Sequence, residues 1–267
     1  MKKYYYFLKI RFHVGLQYRA AALVGLITQF LWGLMECMVF KILLEANAVA
    51  SPMSIIQVVS YIWLKEAFLV LFNTWAADND IFSMIVDGGI AYELCRPVSV
   101  YNMWFSRNVG GRVASVGMRC VPIILAAFLL PEPYRLVSPD GIGVLLLFIF
   151  TLFLGLGVTV AFCMLVYIIS FFTISPQGIR MVLTGAVELL SGSIIPLPFI
   201  PNSYRRILEL LPFASMQNVP LRIYCGNLTG IEMMEAIILQ LLWLIILIIM
   251  GKTLCKLAEH KIVVQGG

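Results

Sequence analysis

Apolar runs long enough to cross a bilayer alternate with short polar stretches along this chain. A transmembrane helix needs roughly 20 mostly apolar residues. Six segments meet that demand: residues 20–44, 53–77, 109–130, 142–172, 179–195 and 233–250. The pattern predicts an all-α polytopic membrane protein, a single transmembrane domain with six spans. The fourth segment is long enough to tilt or to continue past the membrane. Its Gly155 and Gly157 permit close helix packing.

Three regions outside the spans carry further pattern. Phe7, Ile10, Val14 and Tyr18 are spaced by three and four, with Lys2, Lys9 and His13 on the other side. That predicts an amphipathic helix over 1–19 lying on the membrane surface. In the loop between the second and third spans, Val86, Ile90 and Leu94 fall at i, i+4 and i+8. They predict a short amphipathic helix over 85–97, stopped by Pro97. Such a helix suits docking to a partner or to lipid headgroups, and its composition does not choose between them. After Glu188, the residues Gly192, Pro196, Pro198 and Pro201 should break the fifth helix. The stretch 196–225 that follows is too short, and too charged at Arg205 and Arg206, to span. A re-entrant or interfacial element at the outer leaflet is expected there. Non-helical backbone at membrane depth persists only where protein or a wet cavity satisfies it. The element should therefore pack on the bundle or line a path.

Composition agrees with the pattern. The chain is 61% hydrophobic and only 12% charged, too few polar groups to cover a soluble domain of 267 residues. Orientation comes from lysine and arginine. With the N-terminus inside, the inner segments hold Lys2, Lys3, Lys9, Arg11, Arg19, Arg96, Arg107, Arg112, Arg180, Lys252, Lys256 and Lys261. The outer segments hold only Arg135, Arg205, Arg206 and Arg222. This asymmetry places both termini in the cytoplasm. The net charge of +5 forms no long basic block, so nucleic acid is not an expected partner, whereas membrane lipid is. No leader with a cleavage site is apparent. The six cysteines form no CxxC pair and read as small hydrophobes.

The sequence offers little catalytic chemistry. Gly251-Lys252-Thr253 resembles the end of a phosphate-binding loop, but Ile246 stands where the earlier glycine is required. His13 and His260 lie near opposite termini, so neither a metal site nor a Ser-His pair is expected. Charges inside apolar runs are costly and become candidates: Glu36, Lys65, Glu66, Arg119 and Glu188. They would line a translocation path or make gating contacts, or else pair between helices or snorkel. Asn227-Leu-Thr229 matches a glycosylation sequon, and residues 131–139 read as a rigid outer connector.

Together these features resemble the membrane subunits of bacterial ABC-2 type exporters, the short permeases of about 260 residues. The likeness spans nearly the whole chain. It lies in the interfacial N-terminal helix, the run from Gly88 to Pro97, the six spans, the run Ser191 to Pro196 followed by Leu210 to Ala214, and the stretch Pro220 to Gly226. The resemblance implies that 85–97 is a coupling helix seated on a separate ATPase, through Ile85, Val86, Gly88, Gly89, Ile90, Glu93, Leu94, Arg96 and Pro97. It implies a smaller second contact around 173–178, including Ser175 and Gln177. It implies an outer gate involving Glu188, Gly192, Pro196 and Pro198. This chain would carry no cofactor; ATP and Mg2+ would sit on two copies of the partner ATPase. A second permease, the same chain or a paralogue, would complete the complex in the bacterial inner (plasma) membrane. Substrate would move outward, and a largely apolar path suits amphiphiles. A membrane enzyme acting on lipid-linked substrates, using Asp78, Asp80, Arg107 and Arg112, is the alternative reading, and a structural subunit of a membrane complex is another.

Overall fold

Capping residues fix where several helices begin. Ser54 Oγ accepts from the Gln57 amide at 3.2 Å, and Gln57 Oε1 accepts from the Ser54 amide at 3.0 Å. This reciprocal pair satisfies donors that the first turn would otherwise leave open. Asp78 and Ser99 cap two further helices with one bond each, accepting from the amides of Asp80 and Asn102. The computed structural model describes residues 2–16, 19–46, 51–75, 78–173 and 176–261. Among these, twelve α-helices run in the order α1 (Lys2–Gly15), α2 (Arg19–Ala46), α3 (Ile55–Ala67), α4 (Leu69–Phe72), α5 (Asn79–Val86), α6 (Ile90–Leu94), α7 (Val100–Leu129), α8 (Ile142–Ser170), α9 (Pro176–Leu190), α10 (Asn202–Leu210), α11 (Asn218–Tyr224) and α12 (Gly230–Lys261).

Four helices are long and apolar enough to cross a membrane: Val24–Ala46 within α2, Val100–Leu129, Ile142–Ser170, and Gly230–Glu259 within α12. The two other expected spans differ from continuous crossings. Residues 53–77 contain α3 and α4, separated at Phe68, where φ is −104°. Residues 179–195 contain most of α9, which stops at Leu190. At 1.5 Å per residue, α3 and α9 are about 20 Å and 22 Å long, short of the roughly 30 Å hydrocarbon core.

The second half of α8 is the pillar of the bundle. Val158 to Ile168 are all buried, so α8 is apolar on every side and covered on every side. Helices α7, α9, α11 and α12 pack around it. Every residue of α11 is buried as well, although α11 belongs to the stretch between the last two apolar segments. The expected re-entrant element is thus a surface helix, α10, with no buried residue, followed by a turn and the wholly enclosed α11. Two glycines on α8 admit its neighbours. A Cβ at Gly155 would overlap the Met216 carbonyl oxygen, and one at Gly157 would come within 2.9 Å of Leu244 on α12. The turn is held by α12: Gln240 Nε2 donates to Ser215 O at 2.8 Å and to Thr151 O at 3.0 Å.

The N-terminal helix exists, and its docking face includes Phe7 of the face that the spacing marks but not Ile10. Ile10 is 59% exposed. Tyr18 lies outside the described residues. Tyr4 and Phe7 pack on the core, Leu8 lies on Gly110, and Gly15 meets Ala114. The reason is on α7: small residues there leave a groove that the α1 backbone enters. Tyr4 Oη accepts from the Ser99 amide at 3.2 Å and pins the start of α1 to the start of α7.

Replacing Gly155 by valine should drive α8 away from the Met216 turn and cost roughly 2–4 kcal/mol, the scale of a severe overpacking. Gly185→Ala, where a Cβ meets nothing within 4 Å, should be neutral. Thermal unfolding of the two variants in detergent checks this, and equal melting temperatures would refute it.

Candidate functional site: a broken helix held by buried charges

The exit from α9 is built on Gly192. The Ser191 amide closes the last turn onto Val187 O at 2.9 Å, and Gly192 then takes a φ of +82°. A Cβ there would stand 3.1 Å from Tyr61 Oη, so the turn needs glycine for space as well as for conformation. Tyr61 donates from its hydroxyl to Gly192 O at 3.1 Å. Pro196 opens a 3-10 turn at Leu197–Phe199, and Pro196, Leu197 and Pro198 are all buried.

Three of the intramembrane charges meet beside this break. Lys65 pairs with Glu36 on α2 and, at 3.5 Å, with Glu66. It also donates to Ser193 O at 3.2 Å. The Lys65 and Glu66 side chains are only 6% and 3% exposed. One ammonium therefore serves the buried Glu66, the partly buried Glu36 and one orphaned carbonyl. Arg119 does not join them: its guanidinium lies against Gly25, and among the described residues it makes no ion pair. Glu188 is half-buried and borders a cleft shared with Asn73, Ser191 and Gln217. On the far side of the re-entrant element, α10, α11 and α12 enclose a groove of about 670 Å³. Leu210, Val219 and Leu242 give it an apolar wall, while Arg205, Glu209 and Arg222 give it a charged rim. Arg222 is fixed there by Glu209 at 2.6 Å and Asn227 at 2.8 Å.

The helix expected over 85–97 is split in two. Val86 ends α5, Gly88 turns with φ +74°, and α6 begins at Ile90. The break places the three apolar positions differently. Ile90 is buried and Leu94 packs on the core, but Val86 is 63% exposed. Ile85 packs on the core too, and Gly89 lies over Met84. Glu93 is buried, with Arg96 as its partner at 3.4 Å. Pro97 is exposed, and so is Tyr92, at 80%. Ser175 lies outside the described residues, while Gln177 is exposed in the first turn of α9.

A charge cluster clasps α1 to this end. Arg11 pairs with Asp80 and, at 3.2 Å, with Asp78; Arg107 of α7 pairs with Asp78 at 3.1 Å. The Arg11 guanidinium beside Asp80 holds that carboxyl below its usual range. Asp78 and Asp80 are thus engaged in holding helices together. Two side chains with structural roles went unmarked by spacing. Arg112, read from the sequence as a flanking cation, is 2% exposed and donates to the carbonyls of Val70 (2.8 Å), Leu71 (3.1 Å) and Asn73 (2.6 Å), closing the end of α4. Gln240 is the other. Its signal was a lone amide inside an apolar run of the sixth span.

Among the described residues, four long apolar helices and no strands, with a broken fifth element, define a helical, multi-pass membrane protein. No curated protein is matched by the chain. The family model of the ABC-2 family transporter proteins matches residues 30–266, and the chain belongs to that family.

Lys65→Met should strand the carboxylates of Glu36 and Glu66 and cost about 3–5 kcal/mol, the scale for removing one partner of a buried pair. Adding Glu36→Gln and Glu66→Gln to it should restore much of the loss. A melting-temperature series on the single and triple variants decides this, and a harmless Lys65→Met would refute the clamp. The clasp has its own signature in pH. The Asp80 carboxyl is held below its usual range, so its support is present above the ordinary carboxylate pKa near 4 and is lost as pH falls through the lowered value. Proteolysis after α1 should speed up below about pH 4, and Asp80→Asn should weaken that acceleration, leaving what Asp78 contributes.

Proposed function

We propose that this chain is the permease subunit of an ATP-driven exporter, moving an amphiphilic substrate outward when a separate ATPase subunit binds and hydrolyses ATP. Membership of the ABC-2 transporter family supports the class. The single observation that carries the coupling role is the exposed turn from Val86 to Pro97 on a rigid mount. Val86 and Tyr92 face outward, while Ile81, Phe82 and Ile90 beneath them are buried against α7 and α8. An exposed aromatic held by a fixed scaffold is a favourable anchor for a partner pocket. ATP and Mg2+ belong to that partner.

A contact chain leads from this turn to the break. Asn79 opens α5, and its side-chain oxygen accepts from Arg180 of α9 at 2.7 Å; Arg180 also donates to Trp75 O at 2.6 Å. A shift of α5 would pull on the base of α9, whose other end carries Glu188 and Gly192. The exposed α9 residues Met181, Val182 and Leu189, with open space at Gly185, suit a second permease across the path, either the same chain or a paralogue. Two ATPases would then drive two permeases. In this reading α3 with α4, and α9 with its exit, complete six crossings. Both termini lie in the cytoplasm of a bacterial cell, as the basic asymmetry supports. The groove at α10 to α12 joins an apolar wall to a charged rim, which favours an amphiphile.

The test is co-purification with the ATPase subunit in lipid nanodiscs, followed by ATP hydrolysis. Val86→Asp with Tyr92→Asp should lower recovery of the ATPase and reduce hydrolysis in the complex roughly tenfold, about 1.4 kcal/mol of coupling. Both residues are exposed, so the melting temperature of the permease should not change. Full assembly and full activity in the double variant would sink the coupling role.

A further inference from the structure

We propose that the cleft between α1, α4 and α7 binds a phosphate group. The cleft holds about 260 Å³ and is lined by Arg11, Arg107 and Arg112, with Asp78, Val70 and Gly111 among its other walls. Three guanidiniums line the cleft beside Asp78, and two of them also pair with Asp80. Arg11 and Arg107 neutralise Asp78 and Asp80. Arg112 has no carboxylate partner among the described residues, and its charge is held by the carbonyls of Val70, Leu71 and Asn73 and by the Cys163 thiol. The cluster therefore carries one uncompensated positive charge, on a side chain that is 2% exposed.

A buried cation without a counter-ion is costly, and satisfied hydrogen bonds do not cancel its charge. Donor capacity is left over as well. The Nε groups of both Arg107 and Arg112 are buried with no acceptor. Three guanidiniums lining one cleft suit the oxygens of a phosphate, which arginine forks pair with as they do with carboxylates. The floor of the cleft suits the remainder of a phospholipid. Val14 and Val70 give it apolar surface, Gly15 and Gly111 leave it open, and α1 lies at the end of the bundle that the charge pattern assigns to the cytoplasm. A lipid headgroup and a free phosphate share this chemistry, and the experiment separates them.

Gly111→Leu is the clean variant. A Cβ at Gly111 meets nothing within 4 Å, so a longer side chain starts in open space at the cleft wall and removes none of the charged residues. Leucine in place of a mid-helix glycine also favours the helix. The full chain, delipidated in a neutral detergent, is titrated with short-chain phosphatidylglycerol, short-chain phosphatidylcholine and inorganic phosphate, with binding read by native mass spectrometry and by melting temperature. The expected result is one phosphatidylglycerol per chain, bound roughly tenfold more tightly than to Gly111→Leu, with the unliganded melting temperatures of the two proteins alike. Phosphatidylcholine, whose choline cation offsets its own phosphate, should bind more weakly. If inorganic phosphate alone binds the wild type and not Gly111→Leu, the site takes a soluble phosphate and the proposal stands with that source. If neither ligand distinguishes the wild type from Gly111→Leu, the proposal is overturned.

Discussion

Backbone carbonyls freed inside an apolar bundle have no water to turn to, and this protein breaks its helices where that matters most. Each break has a donor sent from a neighbouring helix. Arg112 of α7 closes the end of α4. Tyr61 and Lys65 of α3 close the exit of α9. Gln240 of α12 holds the turn that enters α11. Trp243 of the same helix donates to Leu210 O at 2.9 Å, where α10 ends. In lipid an unsatisfied carbonyl costs several kcal/mol, so these few side chains are the condition for having a broken fifth element at all.

That condition also explains why costly charges sit where they do. Lys65 brings a full positive charge to a carbonyl, and Glu36 and Glu66 offset it with one negative charge to spare. Arg112 brings another, with no carboxylate beside it. A neutral donor would satisfy the same oxygens at lower desolvation cost, as Gln240 does. The charged solutions tie the breaks to other helices: the α9 exit to α2, and the α4 end to α7 and, through Cys163, to α8. Helices that must move together are joined by contacts too expensive to break one partner at a time.

Much of this could be read from the sequence, within a definite limit. Apolar length found α2, α7, α8 and α12, because burial in lipid needs only a long run. Gly192 and the prolines marked the α9 exit, because they act on their own backbone. Spacing misplaced parts of two helix faces. On α1 it marked Ile10, yet Leu8 and Gly15 dock, since the deciding groove belongs to Gly110 and Ala114 of another helix. Over 85–97 it ran one periodicity through Gly88, whose positive φ resets the phase and turns Val86 outward. Arg112 counted as a flanking cation because its position along the chain is near a span end, while its partners lie some forty residues earlier. Periodicity sees a helix's own face and nothing of what it meets.

The placement of the clasp and the breaks bears on how force could cross the bundle. α1, α5 and the start of α7 are joined by Arg11, Asp78, Asp80 and Arg107 into one unit at a single end. α5 reaches the base of α9 through Asn79 and Arg180 and leans on α8 through Phe82 and Tyr167, whose rings lie 4.8 Å apart. The second half of α8, which carries Tyr167, is enclosed and has no room to yield. A push on the exposed turn beyond α5 would therefore meet a rigid pillar on one side and the short, mostly exposed α9 on the other. The compliant element is α9, and its far end is where the helix already stops and where Lys65 holds the loose carbonyl. A movement there would trade one set of partners at Ser193 and Gly192 for another instead of bending a continuous helix, which is the less costly of the two because the hydrogen-bond ladder has already been broken.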